Sequence, residues 1–183
     1  MHLDCGARSV YIETVSTKRQ RLMTSEAIDI HVLVDRSRET VERAFAMPEV
    51  SKPALNEPVD LWLYGQTMAD TGRNWPNAWQ AADDALADPN LGFSIYVGPM
   101  IGFTTDGLLT VGLTVDLDYS PYELGDEPLS PADRARVQGE LMDLASQFGA
   151  RLGIAAWEQP PPESEREMRR LMASAEVAFE LTD

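Results

Sequence analysis

The sequence has few of the residues that most often carry catalysis or bind transition metals. It contains one cysteine, Cys5, and two histidines, His2 and His31, in 183 residues. One cysteine excludes an intrachain disulfide, and three His and Cys residues in total cannot supply a usual zinc site. His2 is terminal, and His31 falls within a strand pattern, where we expect a structural histidine. No nucleophile therefore has an evident base beside it.

Motifs that position a nucleophile or a phosphate are also missing. The chain contains no Gly-x-Ser-x-Gly, no Gly-x-x-x-x-Gly-Lys and no Gly-x-Gly-x-x-Gly. The first serves serine hydrolases, and the other two place backbone N–H groups around phosphates. The sequence therefore predicts no catalytic residue and no cofactor.

Positive charge is scarce as well. Fifteen Lys and Arg stand against thirty Asp and Glu, which gives a net charge of -15. Residues 74–133 hold no Lys, Arg or His but ten carboxylates. A field of this sign repels nucleic-acid phosphates and anionic lipids and attracts basic proteins. We expect a basic protein partner, with no nucleic acid and no membrane. The alternative is that the acidity serves solubility alone, in a small-ligand or structural module.

No apolar run approaches the length that spans a membrane. The first residues lack a basic start and an apolar run, so we expect no secretory signal peptide. Together with the single cysteine, this favours a cytoplasmic protein. The length is typical of one domain, here residues 1–183, which buries roughly 70% of its unfolded surface without disulfides or metals.

The spacing of apolar residues predicts an α+β (or α/β) fold. Alternation with period two predicts strands, and apolar pairs three or four apart predict helices. We expect a mixed, mostly antiparallel sheet of about six or seven strands with three or four helices packed on it. The expected strands are 9–15, 28–34, 59–64, 93–103 with an interruption at 98–99, 108–118, 151–157 and 177–181; the expected helices are 38–47, 76–87, 131–148 and 163–173. For helix 76–87 we expect the entry at Asn74 or Trp75 and an inward face of Trp75, Trp79, Ala82 and Leu86. For helix 131–148 we expect Ser130 as the cap, Pro131 at the first position, Gly149 as the stop, and an apolar stripe of Val137, Leu141, Leu144 and Phe148.

One cluster of carboxylates and tyrosines is the candidate functional site. Asp116 and Asp118 lie two apart on a predicted strand, so both side chains point to one face. Tyr96 shares the polar side of its own strand. Aromatic rings supply contact area and carboxylates receive Arg or Lys, which together suit a protein-binding surface. The proposed partner-binding residues are Tyr96, Asp116, Asp118, Tyr119, Tyr122, Glu123, Asp126 and Glu127.

The same strand end allows a second hypothesis. Asp116 and Asp118 offer oxygen ligands of the kind that Mg²⁺ or Ca²⁺ prefers. A divalent-metal-dependent hydrolase or transferase is therefore the alternative function. The loop after these residues lacks the spacing of an EF-hand, so no metal site is assigned from the sequence.

In broad character the chain is similar to bacterial toxin-immunity proteins. The similarity lies in small size, one domain, acidity and the lack of catalytic motifs, so it transfers no residue. It implies a non-enzymatic, cytoplasmic inhibitor of the immunity or antitoxin type. The partner it implies is a basic protein, such as a toxin effector domain.

Overall fold

The computed structural model describes residues 27–59, 61–62, 74–117, 129–157 and 159–181, and of 61–62 the backbone alone. These residues form seven strands and four helices. The strands are β1 (Ala27–Asp35), β2 (Leu61–Trp62), β3 (Phe93–Tyr96), β4 (Met100–Phe103), β5 (Leu108–Asp116), β6 (Leu152–Trp157) and β7 (Val177–Glu180). The helices are α1 (Arg38–Phe45), α2 (Ala78–Ala87), α3 (Pro131–Phe148) and α4 (Glu165–Leu171).

All seven strands belong to one sheet, in the order β2-β3-β4-β5-β1-β6-β7. Every described pairing is antiparallel. The predicted α+β fold is confirmed, and the parallel pairs that a mixed sheet allows do not occur among the described strands. The predicted strand 9–15 lies outside the described residues.

Alternation along β1 and β5 divides the sheet into two faces. Ile28, Ile30 and Val32 are fully buried on the first face. Ile28 pairs with Val115 of β5, and Val32 pairs with Val111. Directly paired residues share a face of the sheet, so these valines lie on the first face as well. Helices α1, α2 and α3 contribute to the core on this side.

The longest helix follows its sequence signals. The Ser130 hydroxyl accepts a hydrogen bond from the Asp133 backbone N–H at 3.1 Å, and Pro131 takes the first helical position. Gly149 ends α3 in the left-handed conformation, with φ of 66°. All four residues of the predicted apolar stripe of α3 are buried: Val137, Leu141, Leu144 and Phe148. This confirms the predicted inward face of the helix.

Helix α2 differs from its prediction at its start and on its inward face. The Asn77 side chain accepts a hydrogen bond from Gln80 N at 2.9 Å, so the helix begins after Asn77 and not near Asn74. Its buried residues are all alanines: Ala78, Ala81, Ala82 and Ala85. Trp79 was predicted to face inward, but its side chain is 37% exposed and meets the Phe45 ring edge-on. Small residues let α2 approach the core closely, which leaves the indole at the rim.

The interruption at Gly98-Pro99 is a chain reversal. β3 ends before it and β4 begins after it, and the two strands pair with each other. Gly98 has φ of 103°, and a Cβ atom there would lie 2.4 Å from the carbonyl oxygen of Glu49. Glycine is required on both counts. Ile101 and Phe103 therefore continue the buried pattern on a new strand.

The second face of the sheet is covered in part by α4 and the segment before it. Met168 is buried against Leu33, Leu152 and Ile154. The preceding segment crosses the β4–β5 hairpin, where the Glu163 carbonyl accepts from Thr105 N at 2.9 Å. These contacts close the end of the second face that lies near Asp35.

Candidate functional site

The structure describes two of the eight predicted partner-binding residues. Tyr96 ends β3 and Asp116 ends β5, and both side chains are exposed. The remaining six lie outside the described residues: Asp118, Tyr119, Tyr122, Glu123, Asp126 and Glu127. Their convergence with Tyr96 and Asp116 stays a prediction.

Tyr96 and Asp116 lie on the same face of the sheet. Tyr96 pairs with Met100, and Met100 pairs with Gly112. Gly112 and Asp116 are four residues apart on β5, so both residues project from the same face of the sheet. Two strand spacings and four residues along β5 separate Tyr96 from Asp116 by roughly 16 Å. A partner protein can span that distance within one ordinary interface.

Asp29 and Thr114 lie on the same face beside Asp116. They are register partners, and the Thr114 hydroxyl donates to Asp29 Oδ1 at 2.8 Å. The hydrogen bond holds the carboxylate over the sheet and leaves its second oxygen for another donor. Because Thr114 is exposed and Asp29 half-buried, this group remains accessible. We name the set Asp29, Tyr96, Thr114 and Asp116 the open acidic face.

Asp29 and Thr114 were not among the predicted site residues. Asp29 stands 87 positions before Asp116 in the chain, and only the β1–β5 register brings the two together. Period-two alternation placed Asp29 on the polar side of β1. Periodicity does not identify which strand lies beside β1, because strand order depends on packing between distant segments.

His31 lies on the same face but is closed off from solvent. Its side chain is 2% exposed, and its Nε2 atom lies 2.7 Å from the carbonyl oxygen of Gln159. Nδ1 is buried and has no hydrogen-bond partner among the described residues. Burial lowers the pKa of His31 against smaller opposing effects of the Gln159 hydrogen bond and the Asp29 charge. The expected structural role agrees with this burial.

Of the two carboxylates in the metal hypothesis, the structure describes Asp116. Within the described ranges, no three His, Cys, Asp or Glu side chains gather as a metal-binding group. Asp118, which the hypothesis requires, lies outside those ranges. The metal alternative therefore remains a prediction.

A cleft of about 610 Å³ opens at the opposite end of the sheet. One wall carries Arg43, whose Nη2 atom lies 2.6 Å from Glu39 Oε1. The other wall carries Arg169, whose Nη2 atom lies 2.8 Å from Glu165 Oε1. Arg169 also reaches Glu180 at 2.5 Å. Both guanidinium groups already have carboxylate partners. Their positive charge is therefore compensated within the chain and does not favour binding of an anion in the cleft. The sequence did not predict this cleft, which forms only when β1, β6, α1 and α4 meet.

Comparison of the chain with protein-family models, with curated proteins and with solved structures gave no match. Among the described helices, none combines the length and the apolar character that crossing a membrane requires.

Proposed function

We propose that this protein is a non-enzymatic binding protein that neutralises a basic partner protein through the open acidic face. The observation that supports the proposal best is the shared exposed face of Tyr96 and Asp116. A tyrosine ring and two carboxylates at separated points of one sheet face give contact area and charge together. Such a surface suits a protein better than a small ligand, because its groups are spread over roughly 16 Å of open surface.

The charge of the whole chain acts in the same direction. A net charge of -15 attracts a basic protein before contact and raises its association rate. Once the partner is docked, Asp116 and the free oxygen of Asp29 receive Lys or Arg donors, and the Tyr96 ring is buried. Burial of the ring supplies affinity, while the carboxylates supply orientation and rate.

We infer an immunity or antitoxin-type inhibitor in a bacterial cytoplasm, whose partner is a basic toxin effector domain. The support is the combination of size, acidity and absent catalytic motifs in the sequence. Plugging a cationic cleft requires no chemistry from the inhibitor, so a rigid sheet face is sufficient.

A capture experiment with matched variants tests this function. The bait is the tagged protein in lysate of its native host, at about 50 mM salt, where exposed charges are weakly screened. Parallel baits carry Asp116→Lys on the open acidic face or Asp143→Lys on the exposed side of α3. Both substitutions change the net charge equally. We expect one basic protein in stoichiometric amount with wild type and Asp143→Lys, and much less with Asp116→Lys.

The recovered protein must also pass a functional test. Its expression alone should arrest growth, and co-expression with the wild-type chain should restore growth. Recovery of the same protein by all three baits would contradict the proposed surface. A recovered protein without toxicity would contradict the neutralising role but leave the binding role intact.

A further inference from the structure

The strand β7 forms one border of the described sheet. It pairs with β6 on one side, and no described strand pairs with its other side. Its sequence, Val-Ala-Phe-Glu, includes neither the lysine nor the proline that proteins commonly place on exposed sheet edges. The outer edge of β7 therefore presents backbone hydrogen-bonding groups without these obstacles.

The register identifies which backbone groups point outward. Leu181 N donates to the carbonyl oxygen of Arg151 at 2.9 Å. Hydrogen-bonded pairs alternate along an antiparallel ladder, so Phe179 and Val177 also direct their backbone groups toward β6. Ala178 and Glu180 consequently direct their N–H and C=O groups away from β6. Both residues are exposed.

An apolar stripe accompanies this edge on the side of α3. Val177 and Phe179 are half-buried there, and Leu181 is 55% exposed. Met142 on α3 is 39% exposed and lines a groove of about 370 Å³ together with Leu181. Exposed apolar area beside an open strand edge favours the addition of another strand.

Charges near β7 are compensated within the chain. Glu180 pairs with Arg169 at 2.5 Å, and Glu176 pairs with Arg134 at 3.4 Å. A second copy of this acidic chain therefore meets paired charges at this border. Elsewhere on α3, carboxylates such as Glu140 and Asp143 show no ion pair among the described residues.

We propose that β7 pairs with β7 of a second copy of this chain, antiparallel and about a two-fold axis at Phe179. Ala178 then lies opposite Glu180 of the second copy, and all four outward backbone groups of each chain are paired. Leu181 lies opposite Val177 of the second copy, which extends the apolar stripe across the axis. No carboxylate faces its own copy directly, because Glu180 faces an alanine. The two sheets become one continuous sheet.

The dimer has a salt dependence opposite to that of the proposed partner complex. Added salt screens the repulsion between two chains of net charge -15, so it strengthens the dimer. The same salt weakens the attraction of a basic partner to the open acidic face. Failure of one proposal is therefore distinguishable from failure of the other.

Sedimentation equilibrium of the purified full chain tests the dimer. We expect a monomer–dimer equilibrium over about 5–200 µM protein, with more dimer at about 0.5 M salt than at 0.1 M. Ala178→Pro removes only an outward N–H, which edge strands tolerate. It should lower the association constant about tenfold, since two intermolecular hydrogen bonds are lost. Leu181→Glu should weaken the dimer. Tyr96→Glu changes the net charge by the same amount but lies on the open acidic face, so it should leave the association constant unchanged.

Amide hydrogen exchange tests the register of the proposed β7–β7 pairing. Exchange at Ala178 and Glu180 should slow as protein concentration rises, whereas Phe179 should be protected at every concentration. A chain that stays monomeric at about 200 µM in both salts would overturn the proposal. A dimer in which the Ala178 and Glu180 amides exchange at the monomer's rate would overturn it equally.

Discussion

The ring of His31 lies directly over the α-carbon of Gly112. A Cβ atom added to Gly112 would come within 2.4 Å of His31 Nδ1 and 2.8 Å of Cε1. The ring cannot tilt away freely, because its Nε2 atom is held 2.7 Å from the Gln159 carbonyl oxygen. Gly112 is thus required by the close approach of the imidazole and not by an unusual φ angle.

We expect Gly112→Ala to lower the free energy of unfolding by about 1–3 kcal/mol, since overpacking displaces a held ring. Gly139 provides the matched control. It lies in the middle of α3, and a Cβ atom there meets nothing within 4 Å. Gly139→Ala should stabilise the protein by roughly 0.5–1 kcal/mol through helix propensity. Urea unfolding of both variants measures the difference; equal effects would refute the packing of His31 on Gly112.

Stability should fall as the pH drops below the ordinary pKa of histidine. Burial lowers the pKa of His31 from 6.5 in the folded protein. The unfolded chain therefore takes up the proton first, so the His31 contribution is complete above pH 6.5 and is lost as pH falls toward the folded pKa. The urea midpoint should decrease between about pH 7.5 and 5.5. His31→Gln should flatten this part of the profile, and an unchanged slope would contradict the assignment.

Arg36 should be among the least replaceable charged residues. Its guanidinium donates to the backbone carbonyls of Ala85 at 3.0 Å, Leu108 at 3.1 Å and Thr104, and lies 5.5 Å from the centre of the Phe103 ring. It thereby joins the end of β1 to α2 and the β4–β5 hairpin. Lysine has one nitrogen and cannot reach these acceptors together. Arg36→Lys should cost about 2 kcal/mol or more in thermal or urea unfolding.

Arg38 is the control for that experiment. It pairs with Asp83 at 2.8 Å, but both side chains are more than half exposed. Exposed pairs of this kind contribute little to stability. Arg38→Lys should therefore leave the unfolding midpoint unchanged. A large loss at position 38, or none at position 36, would contradict the role assigned to Arg36.

Local sequence signals predicted much of the fold. Alternation along β1 and β5 identified the two strands, and Ser130, Pro131 and Gly149 marked the ends of α3. These signals act within a few residues, because side-chain periodicity and helix caps are short-range effects. They could not give the order of the strands, which depends on packing between distant segments.

The same limit explains what was missed at the site. Asp29 reaches Asp116 only through the β1–β5 register. Arg36 binds carbonyl groups of two separate segments, α2 and the β4–β5 hairpin. Every residue has a backbone carbonyl, so the sequence does not indicate which ones accept from Arg36. The spacing of Trp75, Trp79, Ala82 and Leu86 predicts the inward face of α2. Trp75 and Ala82 are buried, whereas Trp79 lies at the rim, because the buried alanines let the helix pack closely on the core.

Association kinetics of the captured partner test the central claim most directly. The rate constant is measured by stopped-flow mixing at several salt concentrations, with wild type, Asp116→Lys and Asp143→Lys. We predict that the wild-type rate falls steeply as salt rises, because attraction between opposite charges is screened. At low salt, Asp116→Lys should associate much more slowly than Asp143→Lys, although both carry the same net charge. Equal rates for the two variants, or a wild-type rate independent of salt, would contradict binding through the open acidic face.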